Sequence, residues 1–144
     1  MICIQQAPFD AHDILTQLDQ GNGATGALVQ FIGVVRDDDD LTALELEHYP
    51  AMTEKSLTDL AQQAKERWDI IDLAIVHRVG RLNVGDQIMM VAVSAPHRRA
   101  AFEACDFLMD FLKSRAPFWK REIRTSGTKW VAQTAADEAA LKRW

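Results

Sequence analysis

Two hydrophobic rhythms alternate along this chain, and their order restricts the fold more than any single motif does. Leu44, Leu46 and His48 alternate with Glu45, Glu47 and Tyr49, the period-2 pattern of a half-buried strand over 41–49. Pro50 ends that strand. Leu57, Leu60, Ala61, Ala64 and Trp68 then recur at helical spacing, as one apolar stripe requires. The same reading along the chain predicts a first strand around Cys3-Ile4, a helix over 10–18, a loop at 21–23 and a buried strand over 27–35. Strands over 71–79 and 87–94 follow, joined around Gly80 to Asp86. Pro96 suits the first turn of the next helix, which carries Ala101, Phe102, Cys105, Leu108, Met109 and Leu112 inward. A strand over 118–124, a turn at Ser126-Gly127, a partner strand over 129–131 and a helix over 135–143 complete the order. Two βαβ-like steps among adjacent strand pairs argue for an α+β fold with a mixed, mainly antiparallel sheet, in one domain over 1–144.

Charge narrows the function classes. Residues 1–96 carry a net −9 and residues 97–129 a net +4 within a chain of −5 overall. An acidic protein with one basic segment is a poor general binder of nucleic acid and a reasonable host for a small anion. No apolar run approaches the ~20 residues of a membrane span, and Met1 to Gln5 do not open a signal peptide. Cys3 and Cys105 make neither a disulfide framework nor a metal site, and Cys105 falls in the helical apolar stripe as a small core residue. A reducing cytoplasm is the expected compartment.

The basic segment centres on Lys113-Ser114-Arg115-Ala116-Pro117-Phe118-Trp119-Lys120-Arg121-Glu122. Proline disfavours helix in the residue before it, so Pro117 separates a helix end from a strand start. Lys113 and Lys120 thus flank one turn that can bring them together. A strand lysine beside aromatics loses hydration, which lowers its pKa and fits it for proton transfer or nucleophilic work. Three other groups carry chemistry more weakly. Ser94-Ala95-Pro96-His97-Arg98-Arg99 lies where a strand becomes a helix, and free N–H groups there attract anions. Arg36 follows Gly33-Val34-Val35 at a strand mouth, beside four aspartates that can pair with it. Glu45-Leu46-Glu47-His48-Tyr49 holds metal-ligand types, but alternation puts His48 opposite Glu47 and Tyr49. His12 and His77 have no ligand-like spacing and read as structural or surface residues.

These residues carry a family resemblance. Gly26 to Val29 through Gly33 and Arg36, Leu46 to Lys55, Val76 to Gly80, Ala95 to Arg98, Phe102 to Ala104, Lys113 to Glu122 and Lys142 to Trp144 follow the order of the large, catalytic subunit of molybdopterin synthase. His-Tyr-Pro-x-Met-Thr-Glu and Arg-Ala-Pro-Phe-Trp-Lys are its most specific strings. The resemblance implies an α/β hammerhead-like fold with an added β-rich part, and a sulfurtransferase of molybdenum cofactor biosynthesis. Such an enzyme converts cyclic pyranopterin monophosphate (precursor Z) to molybdopterin by installing a dithiolene. Sulfur comes from a small ubiquitin-like partner whose C-terminal Gly-Gly carries a thiocarboxylate, and no cofactor or metal is implied. The implied assembly is a homodimer of large subunits with a small subunit at each end, a heterotetramer.

Carried over by position, Lys113 and Lys120 match the essential lysine pair. His97 and Arg98 match contacts to the substrate phosphate and pterin, and Arg36 matches a further pocket arginine. Arg121 and Glu122 flank the second lysine. The family often has a lysine between Gly33 and Arg36, where this chain has Val34 and Val35, and its loop after Arg36 is commonly longer and less acidic than Asp37 to Asp40. The alternative is a non-catalytic homologue that docks a ubiquitin-like tail; the presence of both lysines favours the enzyme.

Overall fold

The two rhythms become twelve elements in a computed structural model that describes residues 1–19 and 21–144. In chain order they are β1 (Ile2–Gln5), α1 (Ala11–Asp19), β2 (Ala27–Val34), β3 (Leu41–His48), α2 (Pro50–Arg67) and β4 (Asp72–Arg78). Then come β5 (Gly80–Asn83), β6 (Gln87–Ala95), α3 (Arg98–Ser114), β7 (Phe118–Arg124), β8 (Gly127–Val131) and α4 (Ala135–Leu141). The strands form two four-stranded sheets, β1-β4-β6-β2 and β5-β3-β7-β8. Among the described residues only β1 and β4 pair in parallel, and the second sheet is antiparallel throughout. The architecture is α+β. Helices α2 and α3 each carry the chain from one sheet to the other, so neither closes a βαβ step within a sheet.

Strands β4 and β6 are the centre of the first sheet and are covered on both faces, which is why they are almost continuously apolar. Leu73, Ile75, Met89, Val91 and Val93 meet Leu57, Leu60, Phe107 and Leu108 of α2 and α3 on one face. Ala74, Val76, Met90 and Ala92 meet Ile14 and Leu18 of α1 on the other. Cys105 lies in the first of these cores, and burial pushes its thiol up to about 11. A smaller core of Val35, Leu44, Leu46 and Leu82 lies under the second sheet.

Four local expectations change. The strand over 27–35 is an edge strand, paired among the described residues with β6 alone, and it leaves Leu28, Phe31 and Val34 exposed. An apolar run does not say which strand will lie at an edge. The junction around Gly80 to Asp86 contains β5, which pairs with β3 after Gly80 turns the chain at a φ of 83°. Pro96 precedes α3 rather than entering it: His97 is the extended N-cap, and Arg98 and Arg99 open the helix. Phe102 faces solvent, one position off the stripe that buries Ala101 and Cys105.

The C-terminus is clasped to α3. Arg143 forms ion pairs with Asp106 and Asp110, the Trp144 indole N–H donates to Asp110 at 2.7 Å, and its ring packs edge-on against Trp68 and Phe107. This clasp holds α4 beside the end of α3, where the basic run begins.

Candidate active site

Helix α3 ends where the sequence places its break. Arg115 is the C-cap, its N–H donating to the Phe111 carbonyl at 2.7 Å, and β7 starts at Phe118, directly after Pro117. Lys113 lies in the last turn of the helix, a favourable end for a cation. Lys120 is on the inward face of β7, opposite Leu46 of β3 and Val131 of β8. Both lysines line one cavity of about 370 Å³. Its walls mix apolar side chains, Phe31, Leu44, Leu46, Ile88 and Phe118 among them, with polar ones, and Thr134 and Asp137 close one side.

The electrostatics of this cavity follow from its burial. Lys120 has its pKa lowered, first by loss of hydration and then by the nearby Lys113 ammonium, while Glu122 and Asp137 oppose the shift. Asp137 is held as a carboxylate, chiefly by the Thr134 hydroxyl, which donates to it at 2.7 Å. The Asp137 N–H returns a bond to the Thr134 oxygen at 3.1 Å, a capping box that starts α4. Ser114, next to Lys113 and buried, donates through its hydroxyl to the Asp137 carbonyl at 2.8 Å and so fixes α4 to the lysine turn.

His77 is the member of this cavity that sequence reasoning missed. It is 6% exposed, stacks on Phe118 with ring centroids 3.9 Å apart, and lines the cavity with both lysines. Burial above all lowers its pKa to about 4, against the opposing effect of its bond to the Arg78 carbonyl; Lys113, His48 and Lys120 lower it further. Its one sequence signal is a polar ring inside the apolar run Leu73 to Val79, which reads equally as a core histidine.

The other candidates are distributed around this cavity rather than gathered in it. Val34 lines it, whereas Val35 is buried in the small core with its N–H donating to the Asp86 carbonyl. Arg36 is exposed and, among the described residues, makes no ion pair. Its neighbours Asp38 and Asp40 pair instead with Arg124, each at 3.1 Å, and Glu122 joins that network at 2.7 Å. The acidic loop is therefore tied to β7 and leaves Arg36 unrestrained. Arg121 lies on the outer face of β7, ion-paired with Glu45 and set over the Trp130 ring.

His97 and Arg98 line a separate, open hollow of about 640 Å³ with Gly26, Arg99 and Phe102. Glycine is required there, since a Cβ at position 26 would sit 2.1 Å from the Pro96 carbonyl oxygen. This hollow is at the start of α3 and the lysine cavity at its end. Fifteen residues at ~1.5 Å rise separate them by about 22 Å. Within one chain, His97 and Arg98 do not share a cavity with the lysines. Glu47, His48 and Tyr49 do line one shallow groove, with Trp119 and Trp130, because the strand ends at His48 and Tyr49 turns aside as the N-cap of α2.

Comparison with known proteins identifies relatives of this chain and of its fold. The MoaE protein family matches residues 4–115. The chain is 49% identical to the molybdopterin synthase catalytic subunit of Cereibacter sphaeroides, with 99% of each chain covered. Its fold superposes on the molybdopterin biosynthesis MoaE protein of Burkholderia ambifaria with a TM-score of 0.86 and 51% identity, covering 100% of this chain and 97% of that one. Molybdopterin synthase from Staphylococcus aureus gives a TM-score of 0.83 at 33% identity, covering 90% and 95%. With a family match over most of its length and relatives at about half identity, this chain belongs to the MoaE family.

Proposed function

We propose that this chain is the catalytic subunit of a molybdopterin synthase, which transfers sulfur from the thiocarboxylated C-terminus of a small ubiquitin-like subunit to cyclic pyranopterin monophosphate. The observation that carries the reading is the pair Lys113 and Lys120 in one cavity, with the Lys120 proton loosened by burial and by its neighbour. An extended Gly-Gly tail is slim enough to enter between the cavity walls. Its terminal anion is attracted to the two amines, and low local polarity strengthens that attraction. The thiocarboxylate sulfur bonds to the pterin side chain and displaces an oxygen leaving group, giving a thioester. Water then adds to its acyl carbon, charge develops on the acyl oxygen, and the C–S bond breaks to leave sulfur on the pterin and a carboxylate on the tail. The Lys113 ammonium stabilises the charge on the acyl oxygen, while Lys120 gives and takes the proton.

The substrate phosphate calls for cations of its own. His97 and Arg98, at a helix start, suit it, whereas Arg36 follows β2 at its other end, where Val34 lines the lysine cavity. The length of α3 keeps that hollow away from the lysines of the same chain, so a site using both takes them from two copies. This fits a homodimer with a small subunit at each end. Two free cysteines fit work in the cytoplasm, and among the described residues no helix is long and apolar enough to cross a membrane.

The test is reconstitution with thiocarboxylated small subunit and precursor Z. Molybdopterin forms with the wild-type chain, and Lys113→Ala abolishes it with the melting temperature unchanged. Wild-type rates from the Lys113→Ala chain overturn the assignment.

A further inference from the structure

His77 has one nitrogen committed and one spare. Its Nδ1 lies 2.8 Å from the Arg78 carbonyl oxygen, which can only accept, so Nδ1 carries the hydrogen. Burial keeps the ring neutral, and Nε2 is therefore a bare lone pair. Among the described residues Nε2 has no protein partner and is not one of the sealed, unsatisfied atoms, and its ring lines the cavity. The ring cannot easily turn away, because it is stacked on Phe118 at an interplanar angle of 16°. Arg78 holds the strand behind it, with side-chain bonds to the carbonyls of Gln6 and Gln87 at 3.0 and 3.1 Å.

Among the polar side chains of this cavity His77 is the most buried, and its role there differs from theirs. The two lysines are donors. The Gln133 amide nitrogen donates to the Ser114 carbonyl, and Thr134 bonds the Asp137 Oδ2, so the acceptors these residues have left, the Gln133 amide oxygen and Asp137 Oδ1, belong to side chains less buried than His77. The cavity thus offers two cationic donors and, as its most buried polar group, a neutral acceptor held in a fixed direction. A simple inorganic anion satisfies the donors and has no use for the acceptor. A peptide C-terminus satisfies both, since its carboxyl group lies next to a peptide N–H.

We propose that His77 accepts, through Nε2, the last peptide N–H of the C-terminal tail whose carboxyl group Lys113 and Lys120 hold. This deepens the reading of the cavity as the receptor for the small subunit's tail and rests on it. His77 is a positioning residue here: by fixing the N–H it sets the direction from which the terminal acyl group faces the lysines.

The experiment uses two synthetic peptides ending in Gly-Gly carboxylate, one of them N-methylated at the final glycine so that the N–H is gone. Wild-type chain should bind the methylated peptide about tenfold more weakly, the loss of one buried hydrogen bond. In His77→Phe, which keeps an aromatic ring against Phe118, the two peptides should bind equally, and His77→Gln should restore part of the preference. On 15N-histidine-labelled wild-type protein, the unmethylated peptide should move the Nε2 resonance and leave Nδ1 in place, a readout that needs no variant to fold. Equal binding of both peptides by the wild-type chain overturns the role of His77. So does a methylation penalty that survives in His77→Phe, since it is then steric. If neither peptide binds at all, the tail-receptor reading itself is overturned, and this inference with it.

Discussion

Single residues set the chemistry of the lysine cavity, and their visibility in the sequence depends on how far apart they lie along the chain. Lys113 and Lys120 are separated by one proline-broken turn, so local rules suffice to bring them together. His77 reaches them only because β4 lies beside β6 and its ring comes to rest on Phe118, a contact between residues 41 positions apart that no periodicity encodes. The buried ring has a measurable consequence. Between its ordinary value of 6.5 and its folded value of about 4, the unfolded chain takes up a proton that the folded protein refuses. Unfolding then binds protons, so stability rises with pH across that window and is lost as pH falls through it, by up to about 3 kcal/mol. Urea unfolding of the wild-type chain at pH 7 and pH 4.5 should show this loss. The same comparison in His77→Phe should show a smaller one, and an identical loss in both rules out His77 as its source.

At the scale of elements, the site depends on how its walls are tied together. Helix α4 has seven residues and no buried side chain, too little to form alone. What starts it is the Thr134–Asp137 capping box, and what anchors it is the Ser114 hydroxyl beside Lys113. Removing the Thr134 hydroxyl by Thr134→Ala should cost about 1 kcal/mol. In a chain of this length that lowers the melting temperature by about 2–4 °C. It also releases the Asp137 carboxylate into the lysine cavity, where it can pair with an ammonium. Tail-peptide affinity should therefore fall further than the small loss of stability explains. Unchanged affinity, measured by titration calorimetry, would show that α4 is not a wall of the working site. The helix was legible as a terminal segment over 135–143, against Ala135–Leu141 in the structure, but its place was not, because the bonds that fix it come from Ser114 and from the Arg143–Trp144 clasp on α3. The acidic loop is a similar case. Four aspartates after Arg36 suggest a local pair, yet Asp38 and Asp40 turn to Arg124, 84 or more residues away, because the β3–β7 ladder delivers it there.

For the whole molecule, α3 acts as a ruler. The basic segment read as one site in sequence, since His97, Arg98, Lys113 and Lys120 fall within 24 residues and carry the local positive charge. Sequence proximity misleads here for a simple reason: a continuous helix converts nearness along the chain into distance in space, about 22 Å from Arg98 to Lys113. A pterin monophosphate cannot span that gap from one chain's hollow to the same chain's cavity. If both ends are needed, a second copy must present its helix start to the first copy's helix end. Mixing two defective chains decides this. Lys113→Ala keeps a working phosphate end, and Arg98→Ala keeps a working lysine end. Shared sites predict that each mixed dimer regains one complete site, made of the lysines of the Arg98→Ala chain and the helix start of the Lys113→Ala chain. Random pairing of equal amounts makes half of the dimers mixed, each with one of its two sites intact, so activity should return to about a quarter of the wild-type rate, while either variant alone stays inactive. Sites built within single chains predict no recovery at any mixing ratio, because every chain in the mixture then carries its own lesion.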